Sequence, residues 1–235
     1  NEYILLMAHW DHLGIKEDQS GDNIYNGAVD NASGTAGLLE LANYFSKVES
    51  ERSLLFLAVT AEESGLLGSQ YFAEYPPIDL SNIVAGYNFD GVLPVGKTRD
   101  VIVVGYGASE LEDILKAELD KVGKYIVPDP QPEKGFFYRS DHISFAKKGV
   151  PMLYADGGFD KIDGGKEAGR AFADEYTAIY YHQPSDEYDS NWDLSGFADQ
   201  LTLTTKMVKY LADSDRWPEW YEGNEFKSIR EESRK

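Results

Sequence analysis

Residues 53–63 read Ser-Leu-Leu-Phe-Leu-Ala-Val-Thr-Ala-Glu-Glu. Ser53–Thr60 is almost continuously apolar and is shorter than the ~10 residues a helix needs. It therefore reads as a strand buried on both faces. Two acids, Glu62 and Glu63, follow it directly. Tyr3–Ala8, Asn82–Phe89, Val101–Tyr106 and Val150–Ala155 have the same character. Helical spacing lies between these segments. Gly34–Val48 repeats Leu38, Leu41, Ala42 and Phe45 at that spacing. Ser109–Val122 opens with Ser109 and Glu112, a capping-box pair, and stops at Gly123. Ser195–Ala212 places Phe197, Leu201, Val208 and Leu211 on one face. Alternating strands and helices predict an α/β fold: a three-layer α/β/α sandwich with a mixed, largely parallel central sheet.

Composition narrows the function. The chain has 235 residues and a net charge of −19, with 41 acids against 22 Lys plus Arg. Nucleic acid and anionic membrane surfaces both demand a basic face, so neither is an expected partner. Hydrophobic residues make up 42% of the chain, enough to bury a core and to exclude disorder of the whole. No apolar run approaches the ~20 residues of a transmembrane helix, so membrane insertion is not expected. The absence of Cys excludes disulfides, thiolate metal sites and cysteine nucleophiles. No repeat or composition break divides the chain, which predicts one domain over residues 1–235. The sequence opens at Asn1 and enters a strand at once, as a piece lacking the N-terminal portion of a longer protein would. Loops are expected at Asp129–Gly135, which is Pro-rich, and at Gly157–Gly169, which is Gly-rich and polar. The tail, Asp213–Lys235, is expected to pack loosely on the surface or against a missing region.

The chemistry concentrates at the strand exits. The four histidines, His9, His12, His142 and His182, all lie in stretches dense with carboxylates. With 41 acids some of this proximity arises by chance, so spacing alone leaves both a metal site and a solvated surface open. Position sharpens the choice. His9 follows the first strand, Glu62-Glu63 the second and Asp90 the third. In open α/β sheets, ligands bind beyond the carboxyl ends of the strands. Crowding carboxylates there is costly unless a cation compensates them. Imidazole plus carboxylate without thiolate suits Zn²⁺, with Mn²⁺ or Co²⁺ as substitutes. Several carboxylates with two histidines suit a pair of ions roughly 3.5–4 Å apart. Of the adjacent pair Glu62-Glu63, one can bind metal while the other takes a proton from water.

Five blocks in order carry a family resemblance. They are Ala8-His9-Trp10-Asp11-His12-Leu13-Gly14, Gly27-Ala28-Val29-Asp30-Asn31-Ala32-Ser33-Gly34, Ala61-Glu62-Glu63-Ser64-Gly65-Leu66-Leu67-Gly68-Ser69 and Asn88-Phe89-Asp90. Ser140-Asp141-His142, followed by His182-Gln183-Pro184-Ser185-Asp186, closes the set. Over about residues 3 to 212 the chain resembles the co-catalytic di-zinc aminopeptidases of metallopeptidase family 28. Bacterial leucyl aminopeptidases, glutamate carboxypeptidases and, more remotely, glutaminyl cyclases belong to the same group. The resemblance implies the zinc-dependent exopeptidase fold and two Zn²⁺ per chain. It implies that Asp30 bridges the ions, that His9 and Asp90 complete one, and that Glu63 and His182 complete the other. Glu62 would be the general base, acting on peptides with a free N-terminus. Asp11 would hold the far nitrogen of His9, and Asp186 would support His182. A cis peptide is expected between Asp30 and Asn31.

Some relatives place a tyrosine before Ser-Asp-His to stabilise the oxyanion. At that place this chain has Phe137, with Tyr138 next to it, so Tyr138 is the candidate. His12, Asp141 and His142 read as structural or pocket-lining. Three alternatives accompany the aminopeptidase reading. A carboxypeptidase or dipeptidase needs a cation for the substrate carboxylate, and Arg139 is at hand. A glutaminyl cyclase uses one zinc. A non-catalytic relative loses ligands, and this chain retains all five positions. By analogy with bacterial relatives, a secreted or periplasmic, cell-envelope location is expected.

Overall fold

The computed structural model describes residues 2–235. The first apolar segment forms strand β1 (Tyr3–His9), in which every residue from Ile4 to His9 is buried. Ile4, Leu6 and Ala8 enter one core and Leu5 and Met7 another, on opposite faces, as period-two alternation requires. Each of the Ile, Leu and Met side chains contributes on the order of 1.5–3 kcal/mol. Two short strands, β2 (Gly14–Ile15) and β3 (Ile24–Tyr25), make a separate antiparallel ribbon. Helix α1 (Gly34–Phe45), strand β4 (Ser53–Val59), helix α2 (Leu67–Glu74) and strand β5 (Ile83–Phe89) follow. Then come strand β6 (Asp100–Val104), helix α3 (Leu111–Asp120), strand β7 (Tyr125–Pro128), helix α4 (His142–Ala146) and strand β8 (Met152–Gly157). Helices α5 (Gly165–Glu175), α6 (Ser195–Ala212) and α7 (Lys227–Ser233) complete the chain.

The main sheet has six strands in the order β4-β1-β5-β8-β6-β7. All neighbours run parallel except β6 and β8. Helices α1, α3 and α6 cover one face over a core built on Leu38, Leu115 and Leu211. Helices α2 and α4 lie on the other, where Phe72 and Phe145 pack against Met7 and Met152. The expected α/β/α sandwich with a largely parallel sheet is what forms. Since β4, β1 and β5 are parallel neighbours, their carboxyl ends meet at one edge.

Two local expectations need correction, and one strand lies outside those expected. Strand β7 is short, half exposed and ends in Pro128, so it lacks the apolar run that marks the other strands. Helix α5 begins inside the expected loop 157–169; Gly169 there serves packing, because a Cβ would collide with the Phe159 carbonyl. The tail is not loose. Trp220 and Phe226 are buried against Ile143 and Ala146, and the Trp220 indole N–H donates to the Gly149 carbonyl at 2.9 Å. Arg230 is buried beneath the sheet, with Nη2 donating to the Ile83 carbonyl at 2.6 Å.

Candidate metal centre

Each element ends where its functional side chain is needed. His9 is the last residue of β1, and Asp90 follows the last residue of β5. Beyond β4 the chain turns through Ala61, whose φ is 57°, and delivers Glu62 and Glu63. Asp30 sits in the turn that enters α1, followed by a cis peptide to Asn31, as expected. That turn starts at Gly27, with φ 64°, where a Cβ would run into the Asp30 carbonyl and the His12 ring. The Asn31 amide donates to the Phe89 carbonyl at 2.9 Å, and its oxygen accepts from Gly34 N–H at 3.0 Å and Gly91 N–H at 3.2 Å. The start of α1 and the exit of β5 are thereby locked together. His182 arrives from a distant loop, with φ 57°.

These residues converge. His9 Nε2 lies 3.3 Å from Asp30 Oδ1 and 3.2 Å from Asp90 Oδ1. His182 Nε2 lies 3.2 Å from Asp30 Oδ2 and 3.2 Å from Glu63 Oε1. Asp30 thus offers one oxygen to each of two adjoining groups. The far nitrogen of His9, Nδ1–H, donates to the Asp11 carbonyl at 3.0 Å. That fixes the tautomer and leaves a bare Nε2 lone pair aimed at two carboxylates, an arrangement that demands a proton or a cation between them. Glu63 Oε1 and His182 Nε2 are likewise buried without a hydrogen-bond partner. The donors are imidazole nitrogens and carboxylates only, the set that suits zinc. The residues present fit such an ion.

A proton can do part of this work. Burial alone would lower His9, but hydrogen bonds with Asp30 and Asp90 outweigh it and push it up to about 12. The Asp30 and Glu63 carboxylates, each 3.2 Å from its Nε2, push His182 up to about 9. Burial pushes Glu62 up to about 9, with the Asp90 charge adding to it. Glu62 lines the same cleft as the cluster, a cavity of about 920 Å³. Asp90 is held from behind: Ser140 Oγ donates to its Oδ2 at 2.5 Å and accepts from the Asn88 amide at 2.7 Å.

The family model described as peptidase family M28 matches residues 1–205. The chain belongs to peptidase family M28. Leucine aminopeptidase 2 of Arthroderma otae is 27% identical over 203 residues, covering 81% of this chain and 38% of that protein. The structure of a zinc aminopeptidase from Bacillus subtilis superposes with a TM-score of 0.67 at 22% identity, covering 92% of this chain and 47% of that one. A glutaminyl cyclase from Bacteroides thetaiotaomicron shares the fold at a TM-score of 0.57 and 18% identity, covering 92% and 74%. In several other curated relatives the match takes in 39% of this chain and about a fifth of the relative's length.

In this M28 chain three supporting side chains are placed differently from the expectation. The Asp11 carboxylate does not reach His9; its backbone carbonyl does, while Oδ2 accepts from Ala61 N–H at 2.7 Å and holds the turn before Glu62. Asp186 does not touch His182. It accepts from the backbone N–H groups of Val29 at 3.0 Å and Asp30 at 3.1 Å, and so carries the Asp30 turn. The Tyr138 hydroxyl donates to Glu225 at 2.7 Å, and the side chain stands on the cleft rim. Asp141 and His142, at the start of α4, are wholly buried. Two residues gain importance. His12, read as structural, has Nδ1 2.9 Å from Glu63 Oε1. Tyr181 stacks on His182 at 3.8 Å and lines the cleft, its hydroxyl pushed up by burial and by Asp30, Glu63 and Asp90. Its place immediately before His182 was the only sequence signal for it.

Proposed function

We propose that this chain carries the centre of a di-zinc aminopeptidase. The observation that carries the reading is the two-sided placement of Asp30, with one oxygen beside His9 and Asp90 and the other beside His182 and Glu63. His9, Asp90 and Asp30 would hold one ion; His182, Glu63 and Asp30 the other. Bound there, zinc supplies Lewis acidity, polarising a carbonyl and lowering the pKa of water towards ~7.

The chain's own groups do the rest. Glu62 accepts a proton as water attacks the scissile carbonyl, then gives it to the leaving amine as the C–N bond breaks. Beside a bound cation Glu62 would be held as the carboxylate, against the burial that pushes it up. Tyr181, beside His182, is better placed than Tyr138 to donate its O–H to the developing oxyanion. Asp11 and Ser140 keep His9 and Asp90 in register. A free N-terminal amine entering the acidic floor would find carboxylates, which favours cleavage at that end.

The test uses a Leu-initiated peptide containing Gln and a second peptide beginning with Gln, read by mass spectrometry with a chelator control and metal counting. Loss of N-terminal residues, two ions per chain and abolition by chelator support the proposal. Loss from the C-terminus would transfer the assignment to a carboxypeptidase or dipeptidase, for which Arg139 on the cleft wall is the favouring observation. Ammonia loss from the Gln peptide with one ion per chain would make it a cyclase.

A further inference from the structure

The cleft wall contradicts the charge of the molecule around it. The chain carries 41 acids against 22 Lys plus Arg. Five carboxylates line the cleft, and four of them, Asp30, Glu62, Glu63 and Asp90, form its floor. On the rest of the wall a single acid, Asp174, faces four cations: Lys134, Arg139, Lys147 and Arg170. These come from separate parts of the fold. Lys134 and Arg139 lie between β7 and α4, Lys147 follows α4, and Arg170 lies on α5.

Among the described residues none of the four is engaged by a carboxylate. Neighbours that serve only the surface are: Lys148, next to Lys147, pairs with Glu74 at 2.6 Å, and Arg99 pairs with Asp160 at 3.2 Å. Arg139, like the other three, is exposed on the cleft wall. It leans over the Phe136 ring, adjoins Ser140, which holds Asp90, and its charge acts on the Tyr181 hydroxyl. Unpaired cations converging on a cleft, in a protein that is acidic elsewhere, are available to an anionic ligand.

We infer that this cation wall selects peptides bearing a carboxylate just beyond the N-terminal residue. The carboxylate belongs either to an Asp or Glu side chain or to the end of a very short peptide. The inference rests on the aminopeptidase reading for the direction in which the peptide lies. Arg139 and Arg170 are the specificity-determining pair, since a guanidinium presents a planar fork to a carboxylate. The overall charge of −19 predicts the opposite preference, for basic peptides.

The zinc-loaded protein is assayed on Leu-Asp-Asp amide, Leu-Asn-Asn amide and Leu-Lys-Lys amide, and on Leu-Ala as acid and as amide. At low salt the aspartyl amide should exceed the lysyl amide about tenfold in kcat/KM, and the advantage should shrink several-fold at 0.5 M salt. In the double variant Arg139→Gln/Arg170→Gln the ratio should fall to about twofold or less. A preference of Leu-Ala acid over its amide, without one for Asp, would assign the carboxylate to the chain end. Equal or faster cleavage of the lysyl peptide, or a ratio unchanged in the variant, overturns the inference. Binding of C-terminally dye-labelled Leu-Asp-Asp-Asp and Leu-Lys-Lys-Lys, read by fluorescence anisotropy, is measured in parallel. If nothing is cleaved, the aminopeptidase reading fails, and the same order of binding affinities still decides the cation wall.

Discussion

At the scale of single residues, the site separates groups that act from groups that hold. Glu62→Gln should cost about 10²-fold or more in turnover while metal content stays at its original value, read by elemental analysis beside the assay. Asp186→Ala should do the reverse. It removes the acceptor of the Val29 and Asp30 N–H groups, so a chelator competition should find metal affinity lowered by about 10- to 100-fold. His142 gives a pH signature of its own. Burial lowers it from the ordinary 6.5 to about 3. The unfolded chain takes up that proton first, so the contribution is complete above about pH 6.5 and is lost as pH falls towards 3. Thermal melts between pH 4 and 6.5 should therefore flatten in His142→Leu relative to the parent; parallel slopes would remove His142 from the acid response.

At the scale of elements, the site is only as good as the strand exits. Helix α2 approaches the end of β4 so closely that a Cβ at Gly68 would strike the Thr60 carbonyl. Gly68→Ala should destabilise the protein by about 1–3 kcal/mol and weaken metal binding through the Glu62-Glu63 turn, seen as a lower Tm and a lower chelator midpoint. Strand β4, which feeds this turn, was legible from its apolar run, yet it is not buried on both faces as that run suggests: it forms the edge of the sheet and only Val59 in it is buried. Strand β7 and helix α5 were not legible. The first is only four residues long and ends in Pro128, and the second carries Gly169, whose use lies in close packing against Phe159. A window of ten residues holds no information about what will press against it.

At the scale of the whole molecule, two long-range terms hold the sheet. The C-terminal segment closes the α4 side, and Trp220→Ala should cost about 3–5 kcal/mol by urea unfolding. A surface role for Trp220 would leave the midpoint nearly unchanged. Metal is the second term: an ion bound only by the folded chain stabilises it by mass action. Chelator should lower the Tm and added zinc should restore it, whether or not peptide is cleaved.

The sequence alone determined five of the six strands of the main sheet, the layered architecture and the acids and histidine that leave three parallel strands. These follow from local apolar runs and from the rule that such strands end at one edge. His182 and Asp30 were reachable only through the ordered blocks, since 152 positions separate them and no local pattern joins them. Tertiary packing alone decided that Asp11 supports His9 by its carbonyl and that Asp186 carries the Asp30 turn. It also placed Tyr181 against His182, seated the tail under α4 and gathered four cations on one wall. Each of these depends on which side a backbone faces once distant segments meet, and neither residue type nor spacing encodes that direction.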